Sequence, residues 1–328
     1  MIGVSIIVAC LLGLSLGRNN LGNLFGTAVG TGMVRLRTAQ ILTCLFLFLG
    51  AFVSSAATTS SITQIGSLKT PTDILVVCTA AAVVLELLSY RGIPASIVQT
   101  MVGSLIGWNA YRVSDMPWTP IYQMVCAWWV APVLAAVICG LMMMLMRYVL
   151  TRWPLSLFVR DLVLRWGLIL VGISAAYTLG ANNIGTITGP FLSVFSDFNS
   201  DVMTGLVCLA VGIGFWLADK KVIATIAARL FPLSPAEAFM AMFGTTVSMV
   251  CFSIDEVREM LQALHLPSFP LVPIPMSSVL IGAICGISLA RGGYGLRFTV
   301  LGRIMLSWIL VPVLAGVMSW GLLWGLGL

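Results

Sequence analysis

Two short polar stretches inside apolar segments contain most of the side chains that could bind a ligand. The first polar stretch, residues 17–23, reads Gly-Arg-Asn-Asn-Leu-Gly-Asn, and the second polar stretch, residues 180–186, reads Gly-Ala-Asn-Asn-Ile-Gly-Thr, 163 positions later. Side-chain amides donate hydrogen bonds without carrying charge, and glycine lets a ligand approach the backbone. Unpaired backbone groups are not tolerated in lipid, so a helix that breaks here must face protein or a polar cavity. We therefore expect a broken helix at each stretch, with both breaks facing one central binding site.

The chemistry that such breaks favour is anion binding. A helix that restarts inside a membrane exposes N–H groups with partial positive charge, and these groups can hold an anion. Two proline-led stretches, beginning at Pro94 and Pro273, could start further helices at this depth, where their hydroxyl groups would bind the anion or only cap the helix. The alternative for the polar stretches is that they are kinks packed between helices. The candidate ligands of a small tetrahedral oxyanion are Arg18, Asn19, Asn20, Asn23, Ser96, Asn182, Asn183, Thr186, Ser277 and Ser278.

Arg18 is the basic residue that the sequence places within a span. A charge at that depth is costly and is a functional hypothesis by default, and a guanidinium group offers several donors to an oxyanion. Two alternatives stay open: the side chain extends to the membrane interface, or it makes a gate contact away from the substrate.

The composition is that of a membrane protein. Hydrophobic residues make up 59% of the 328 residues, charged residues only 9%, and the mean hydropathy is +1.06. The net charge of +6 comes from basic residues in short loops, so no nucleic-acid partner is expected. The eight cysteines form no CxxC pair and His265 is the single histidine, which indicates packing thiols and no metal or other cofactor. No nucleophile–base set can be assembled, so we do not expect an enzyme.

The order of apolar segments predicts an all-α polytopic membrane protein of about ten spans. Five segments fall in residues 1–150 and five in residues 151–328, and matching stretches recur at offsets of 163 to 180 positions. Because five is odd, the second half enters the membrane from the opposite side, which makes two inverted repeats of five spans, each with a broken first helix. The two repeats would form one transporter unit without a soluble domain.

The distribution of basic residues predicts the orientation in the cell membrane. With the N-terminus outside, thirteen Lys and Arg residues lie at cytoplasmic ends and three, Lys69, Arg112 and Arg258, lie in outer loops. Cytoplasmic loops carry the excess of basic residues in membrane proteins, so both termini are predicted outside.

At these residues the chain resembles the inorganic phosphate transporter (PiT) family, whose mark is a GANDxAN-type motif in each half. The two polar stretches are similar to that motif, and the likeness covers nearly the whole chain in order. It includes Phe25 to Gly30, Pro94 with Gly103, Pro273 with Gly282, and Trp308 with Pro312. The resemblance implies a phosphate permease that works by alternating access, with a homodimer as its assembly.

The departures from the family pattern concern coupling. Asn20 and Asn183 stand where the family motif has Asp, and Leu47 and Met242 align with the family's Glu. A sodium site needs hard oxygen ligands and usually a negative charge, so the usual sodium coupling is not expected. The co-substrate could be a proton, a counter-anion or nothing. Two alternatives stay open: a sulfate permease of the same fold, and a transport-inactive sensor or regulatory subunit.

Overall fold

The computed structural model describes residues 1–66, 68–91, 95–112, 116–152, 156–218, 233–293 and 298–327. Every regular element within these ranges is a helix. The elements are α1 (Ile2–Gly30), α2 (Leu36–Ser54), α3 (Ala56–Ile65), α4 (Pro71–Tyr90), α5 (Ile97–Arg112), α6 (Trp118–Arg152), α7 (Leu157–Leu179), a π-helical turn (Gly180–Ile184), α8 (Gly185–Val194), α9 (Ser200–Leu217), α10 (Pro235–Ser253), α11 (Asp255–Ala263), α12 (Met276–Ala290) and α13 (Phe298–Gly325).

The same capping device begins one helix in each half. Thr70 accepts a hydrogen bond from the backbone N–H of Asp73, whose carboxylate accepts one from the Thr70 backbone N–H at 3.0 Å. Ser234 and Glu237 make the same reciprocal pair at the start of α10. A proline follows each capping residue, and its fixed φ angle suits the first helical position.

Eight helices or helix pairs in the described part of the chain are long and apolar enough to cross a membrane. Two of the ten predicted spans are shorter: α5 has 16 residues and α12 has 15. At 1.5 Å per residue each is about 22–24 Å long, against roughly 30 Å of hydrocarbon. The proline-led start at Pro94 lies outside the described residues, whereas Pro273 lies in extended chain just before α12.

The two halves pack against each other in a reciprocal pattern. Helix α5 lies along α13 and α12 lies along α6, while α1 packs on α9 and α2 packs on α7. A Cβ added to Gly103 would collide with the backbone of Pro312, and one added to Gly282 would collide with the backbone of Pro132. Small residues allow this close backbone approach between membrane helices. Equivalent positions of the two repeats therefore make equivalent contacts across the molecule.

Each half also contains one ion pair at the equivalent position, between the end of its short helix and the first turn of another helix. Arg112 at the end of α5 lies 3.4 Å from Asp73 in the first turn of α4. Arg291, just after α12, lies 2.6 Å from Glu237 in the first turn of α10. In an inverted arrangement these pairs lie at opposite faces of the membrane. The prediction of an all-α polytopic membrane protein is confirmed, whereas the division at residue 150, which falls in the last turn of α6, stays a prediction.

The prediction that each repeat has a broken first helix is wrong in detail. Helix α1 runs without interruption through the first polar stretch, and the second polar stretch contains a π-helical turn instead of a break. The glycines serve close helix packing: a Cβ on Gly17 would collide with Val211, and one on Gly180 would collide with Leu47. The amide of Asn20 donates to the carbonyl oxygen of Leu16 at 3.0 Å, so it is satisfied inside a continuous helix.

Candidate anion-binding site

The π-helical turn, Gly180–Ile184, lies at the centre of the second half, and all five of its residues are buried. It joins α7 to α8 and packs against α2, α3, α9 and α10. The Thr58 hydroxyl donates to the carbonyl oxygen of Ala181 at 2.7 Å, which satisfies one backbone group of the turn. Single π-turns inside α-helices occur frequently at functional sites.

Asn182 joins this turn to the chain in front of α12. Its Nδ2 donates to the carbonyl oxygen of Ile274 at 2.8 Å, and its Oδ1 accepts from the Ile274 backbone N–H at 3.0 Å. The hydroxyl of Ser253 donates to the same Oδ1 at 3.2 Å. Both acceptor positions of the amide oxygen are therefore used. Asn182 holds the backbone in place and has no free oxygen for a cation.

The chain in front of α12, residues 271–275, is not helical and is buried. Its carbonyl groups are satisfied by side chains: Ser61 donates to Leu271 at 2.5 Å and Trp128 donates to Pro273 at 3.2 Å. Few of its backbone N–H groups need a partner, because Pro273 and Pro275 have no N–H group. Non-helical backbone at membrane depth is tolerated only when it is buried in protein in this way.

Helix α12 therefore begins in the buried interior beside the π-helical turn. The first N–H groups of a helix have no partner inside it and carry partial positive charge. Ser278 in this first turn is 1% exposed, and its hydroxyl has no hydrogen-bond partner among the described residues. Ser277 beside it is partly exposed. An unpaired buried hydroxyl is costly, so it marks a place where a ligand or water completes the bonding.

Gly17 of the first polar stretch lies against the backbone of Val211 and Gly214 on α9, so this side of α1 faces the second half. Asn23 donates to the Asn20 side-chain oxygen at 3.1 Å, so these two amides form one partly exposed polar surface on α1. Asn19 instead donates to Ser89 of α4 at 3.4 Å. Ser96 lies partly exposed just before α5.

Asn183 and Thr186 complete the second polar stretch and are both buried. The Asn183 amide donates to the carbonyl oxygen of Leu179 at 3.4 Å, and the Thr186 hydroxyl donates to that of Asn182 at 3.2 Å. These bonds lie within the helix, so both side chains are held along its own backbone.

The structure does not place Arg18 with the other candidates. Arg18 is exposed on the face of α1 that carries Val4, Ile7 and Leu11, which are 51%, 59% and 54% exposed. The spacing of these positions puts them on one helical stripe. An arginine on such a stripe extends its side chain toward the membrane interface.

No carboxylate of the described residues hydrogen-bonds to Asn182 or to the chain before α12, and Glu86 of α4 accepts a hydrogen bond from Ser15 of α1, one turn before Asn19. Leu47 and Met242, which the resemblance to the phosphate transporters places at the family's Glu positions, are apolar and 0% and 2% exposed. The buried carboxylates of the described chain, Asp73 and Glu237, are each paired with an arginine at a helix end. The centre thus offers hydrogen-bond donors and a helix N-terminus.

Four residues at the site are not among the candidates that the sequence predicts: Thr58, Ser61, Ser253 and Trp128. A signal existed for the first two, because residues 56–63 read Ala-Ala-Thr-Thr-Ser-Ser-Ile-Thr at the end of an apolar segment. From the sequence, residues 38–58 are predicted to form one apolar span. The structure divides it at Ser55, and α3 turns its hydroxyl-rich face toward α8 and the π-helical turn.

The fold and the site define a class: a polytopic membrane protein with a half-length helix beginning in its interior, typical of secondary transporters. The model of the phosphate transporter family matches residues 16–257, and the chain belongs to that family.

Relatives support this assignment over most of the chain. A protein of Methanocaldococcus jannaschii whose name assigns it to the phosphate permeases is 24% identical, covering 96% of this chain and 94% of its own. The sulfate permease CysP of Bacillus subtilis is 24% identical, covering 95% of this chain and 84% of its own. The solved structure of a sodium-dependent phosphate transporter shares the fold, with a TM-score of 0.78 and 19% identity over 99% of this chain and 98% of that one.

Proposed function

We propose that the protein is a permease that moves an inorganic oxyanion across the membrane by alternating access of its two repeats, with phosphate as the first candidate substrate. Membership of the phosphate transporter family supports the substrate class. The observation that carries the proposal is the buried start of α12 with the unpaired hydroxyl of Ser278. Converging neutral donors and a helix N-terminus can bind an anion without a full positive charge nearby.

The permease works without the usual sodium coupling. A sodium ion needs several hard oxygen ligands and a compensating negative charge, and the positions of the family's carboxylates hold Asn20, Leu47, Asn183 and Met242. Two of these side chains are apolar and buried. A proton, a counter-anion or no co-substrate at all then accompanies the oxyanion.

Sulfate is the second candidate, and a specific observation favours it. Phosphate carries one or two protons at neutral pH, and those protons need acceptors in the site. No carboxylate bonds to Asn182 or to the described chain before α12, and the oxygen of Asn182 already accepts two hydrogen bonds. Sulfate is a fully deprotonated dianion at neutral pH, so it needs only hydrogen-bond donors in its site. The sulfate permease among the relatives agrees with this alternative.

Uptake by the purified full-length chain in proteoliposomes tests the proposal. Labelled phosphate and labelled sulfate are offered separately, each with sodium or choline outside, and with or without a pH gradient. We expect uptake of one of the two anions at the same rate in sodium and choline. Strict sodium dependence would refute the coupling argument. Specific binding without uptake of either anion would favour a transport-inactive sensor.

The assembly and location belong to the same proposal. The protein resides in the plasma membrane with both termini outside and functions as a homodimer. Chemical cross-linking in the native membrane, followed by mass measurement of the solubilised protein, tests the dimer; a single species of monomer mass after efficient cross-linking contradicts it.

A further inference from the structure

Glu86 is an acidic residue within a membrane-spanning helix, α4. Its carboxylate accepts a hydrogen bond from the Ser15 hydroxyl of α1, and Ser15 is buried. Among the described residues, no arginine or lysine makes an ion pair with Glu86. A carboxylate inside a span is costly in its charged form, so such a residue is a functional hypothesis by default.

A second hydrogen bond joins α1 to α4 one turn further along both helices. The Asn19 amide donates to the Ser89 hydroxyl at 3.4 Å. Asn19 follows Ser15 by four residues and Ser89 follows Glu86 by three, so the members of each pair are neighbours on one helix face. The bond from Ser15 to Glu86 is therefore in line with the bond from Asn19 to Ser89.

The repeat places these two bonds close to the depth of the candidate site. The equivalents of Asn19 and Ser89, 163 and 164 positions later, are Asn182 and Ser253. Asn182 and Ser253 are both buried and are hydrogen-bonded to each other at 3.2 Å beside the start of α12. Glu86 therefore lies about one helical turn from the level of the anion site.

The second half has no counterpart of this carboxylate. The positions equivalent to Ser15 and Glu86 are Thr178 and Val250, at the same offsets of 163 and 164. The Thr178 hydroxyl donates to the carbonyl oxygen of Ser174 on its own helix at 2.7 Å, and Val250 is partly exposed. Because the fold accepts an apolar side chain at this place in one half, packing alone does not require an acid in the other.

The surroundings of Glu86 contain no second free carboxylate. Glu86 is exposed on α4 beside Val83 and Leu87, which are 42% and 52% exposed. Helices α1, α5, α8 and α13 pack against α4. The other titratable or charged side chains on these helices, on α4 and directly after it are Cys10, Arg18, Asp73, Cys78, Tyr90, Arg91, Tyr111, Arg112 and Arg303. Asp73 is paired with Arg112, so Glu86 is the carboxylate of this described set without a cationic partner.

We propose that Glu86 is the proton-coupling residue of the permease: it binds one proton when the oxyanion binds and releases it on the other side of the membrane. This rests on the proposed function. An oxyanion beside the first polar stretch repels a charged carboxylate, so anion binding favours protonation of Glu86. The linkage is reciprocal, so protonation of Glu86 strengthens anion binding. One O–H bond forms on the carboxylate as the anion binds and the same bond breaks as the anion leaves.

Glu86→Gln separates proton coupling from a structural role. The amide oxygen of glutamine still accepts the hydrogen bond from Ser15, but the side chain binds no proton. The full-length chain is placed in proteoliposomes with labelled phosphate or labelled sulfate. Two activities are compared: accumulation driven by an inward proton gradient, and exchange against the same unlabelled anion without a gradient.

We expect Glu86→Gln to lose the driven accumulation and to keep exchange, and Glu86→Asp to recover the driven accumulation. Glu259→Gln is the matched control, because Glu259 is an exposed carboxylate of α11 outside the spans, and it should accumulate the anion like the wild-type chain. Driven accumulation by Glu86→Gln at the wild-type level would overturn the proposal. Loss of exchange together with accumulation would assign Glu86 a structural role and would also overturn it.

Proton uptake on anion binding is a second measurement. When the anion is added to the solubilised protein in weakly buffered solution, the wild-type chain should take up a proton that Glu86→Gln does not. Equal proton uptake by the two proteins contradicts the proposal. If the wild-type chain transports neither anion, the proposed function fails, while the proton uptake on binding still tests Glu86. If it transports an anion that a proton gradient does not drive, the coupling inference fails and the proposed function stands.

Discussion

At the scale of single residues, two side chains in the interior have opposite roles. Asn182 has all its acceptor capacity committed to Ile274 and Ser253, so it shapes the site without being free to bind substrate. The Ser278 hydroxyl is buried and unpaired, so it is available to an anion. Sequence alone ranked both residues together as ligands, because both are small polar residues in apolar surroundings.

Ser278→Ala should weaken anion binding. A hydrogen bond to a charged group contributes about 1.5–3 kcal/mol, so the Kd for the transported anion should rise roughly 10- to 100-fold. Calorimetry on the solubilised protein measures it. Ser319→Ala is the matched control, since its hydroxyl is also buried and unpaired but lies on α13. An equal loss in both variants would show a general packing effect.

Arg18→Ala should leave the Kd for the anion within about twofold of the wild-type value, because Arg18 is exposed on the stripe of α1 with Val4, Ile7 and Leu11. The same calorimetric titration measures this. A Kd raised more than tenfold would show that Arg18 contributes to anion binding and would contradict its exposed position.

At the scale of elements, glycine allows the two short helices, α5 and α12, to pack closely against their neighbours. Helix α12 lies along α6 so closely that Gly282 leaves no room for a Cβ beside Pro132, and α5 makes the equivalent contact with α13. These contacts hold the two short helices at a fixed height, and with them the position at which α12 begins. The glycines of the two polar stretches likewise allow close packing, of α1 on α9 at Gly17 and of the π-helical turn on α2 at Gly180.

Gly282→Val should destabilise the protein, because the added side chain must push α12 away from α6. Overpacking of this kind costs about 1–3 kcal/mol, and Tm in detergent should fall by several degrees. Gly321→Val is the control, because nothing lies within 4 Å of a Cβ at that position of α13. A Tm for Gly282→Val equal to that of the control would disprove the tight contact.

At the scale of the whole molecule, each repeat completes the other. The pairs Arg112–Asp73 and Arg291–Glu237 tie the end of a half-length helix to the start of a spanning helix within each half. The packing of α5 on α13 and of α12 on α6 then joins the halves to each other. Each half thus covers the glycine-lined face of the other half's short helix.

The proposed orientation places Lys69 and Arg152 on opposite sides of the membrane. Lys69 and Arg152 are both exposed, and in the proposed orientation they lie outside and inside respectively. In intact cells, a membrane-impermeant maleimide should label Lys69→Cys in a cysteine-free chain and should label Arg152→Cys only after permeabilisation. Labelling of Arg152→Cys from outside would reverse the proposed topology.

Composition and order along the chain determined the class of this protein: long apolar runs with few charges indicate membrane helices, and stretches that recur in the same order mark a repeated unit. The all-helical membrane class, the resemblance to the family and the polar stretches follow from such local patterns. Only the tertiary structure decided what each polar residue does, because the partners are distant along the chain. Asn182 and Ile274 are 92 positions apart, and the hydrogen bond between them lets Asn182 hold the chain before α12 in place. Gly17 packs on α9 within an uninterrupted helix, and Arg18 lies on the outward face of α1, away from the site.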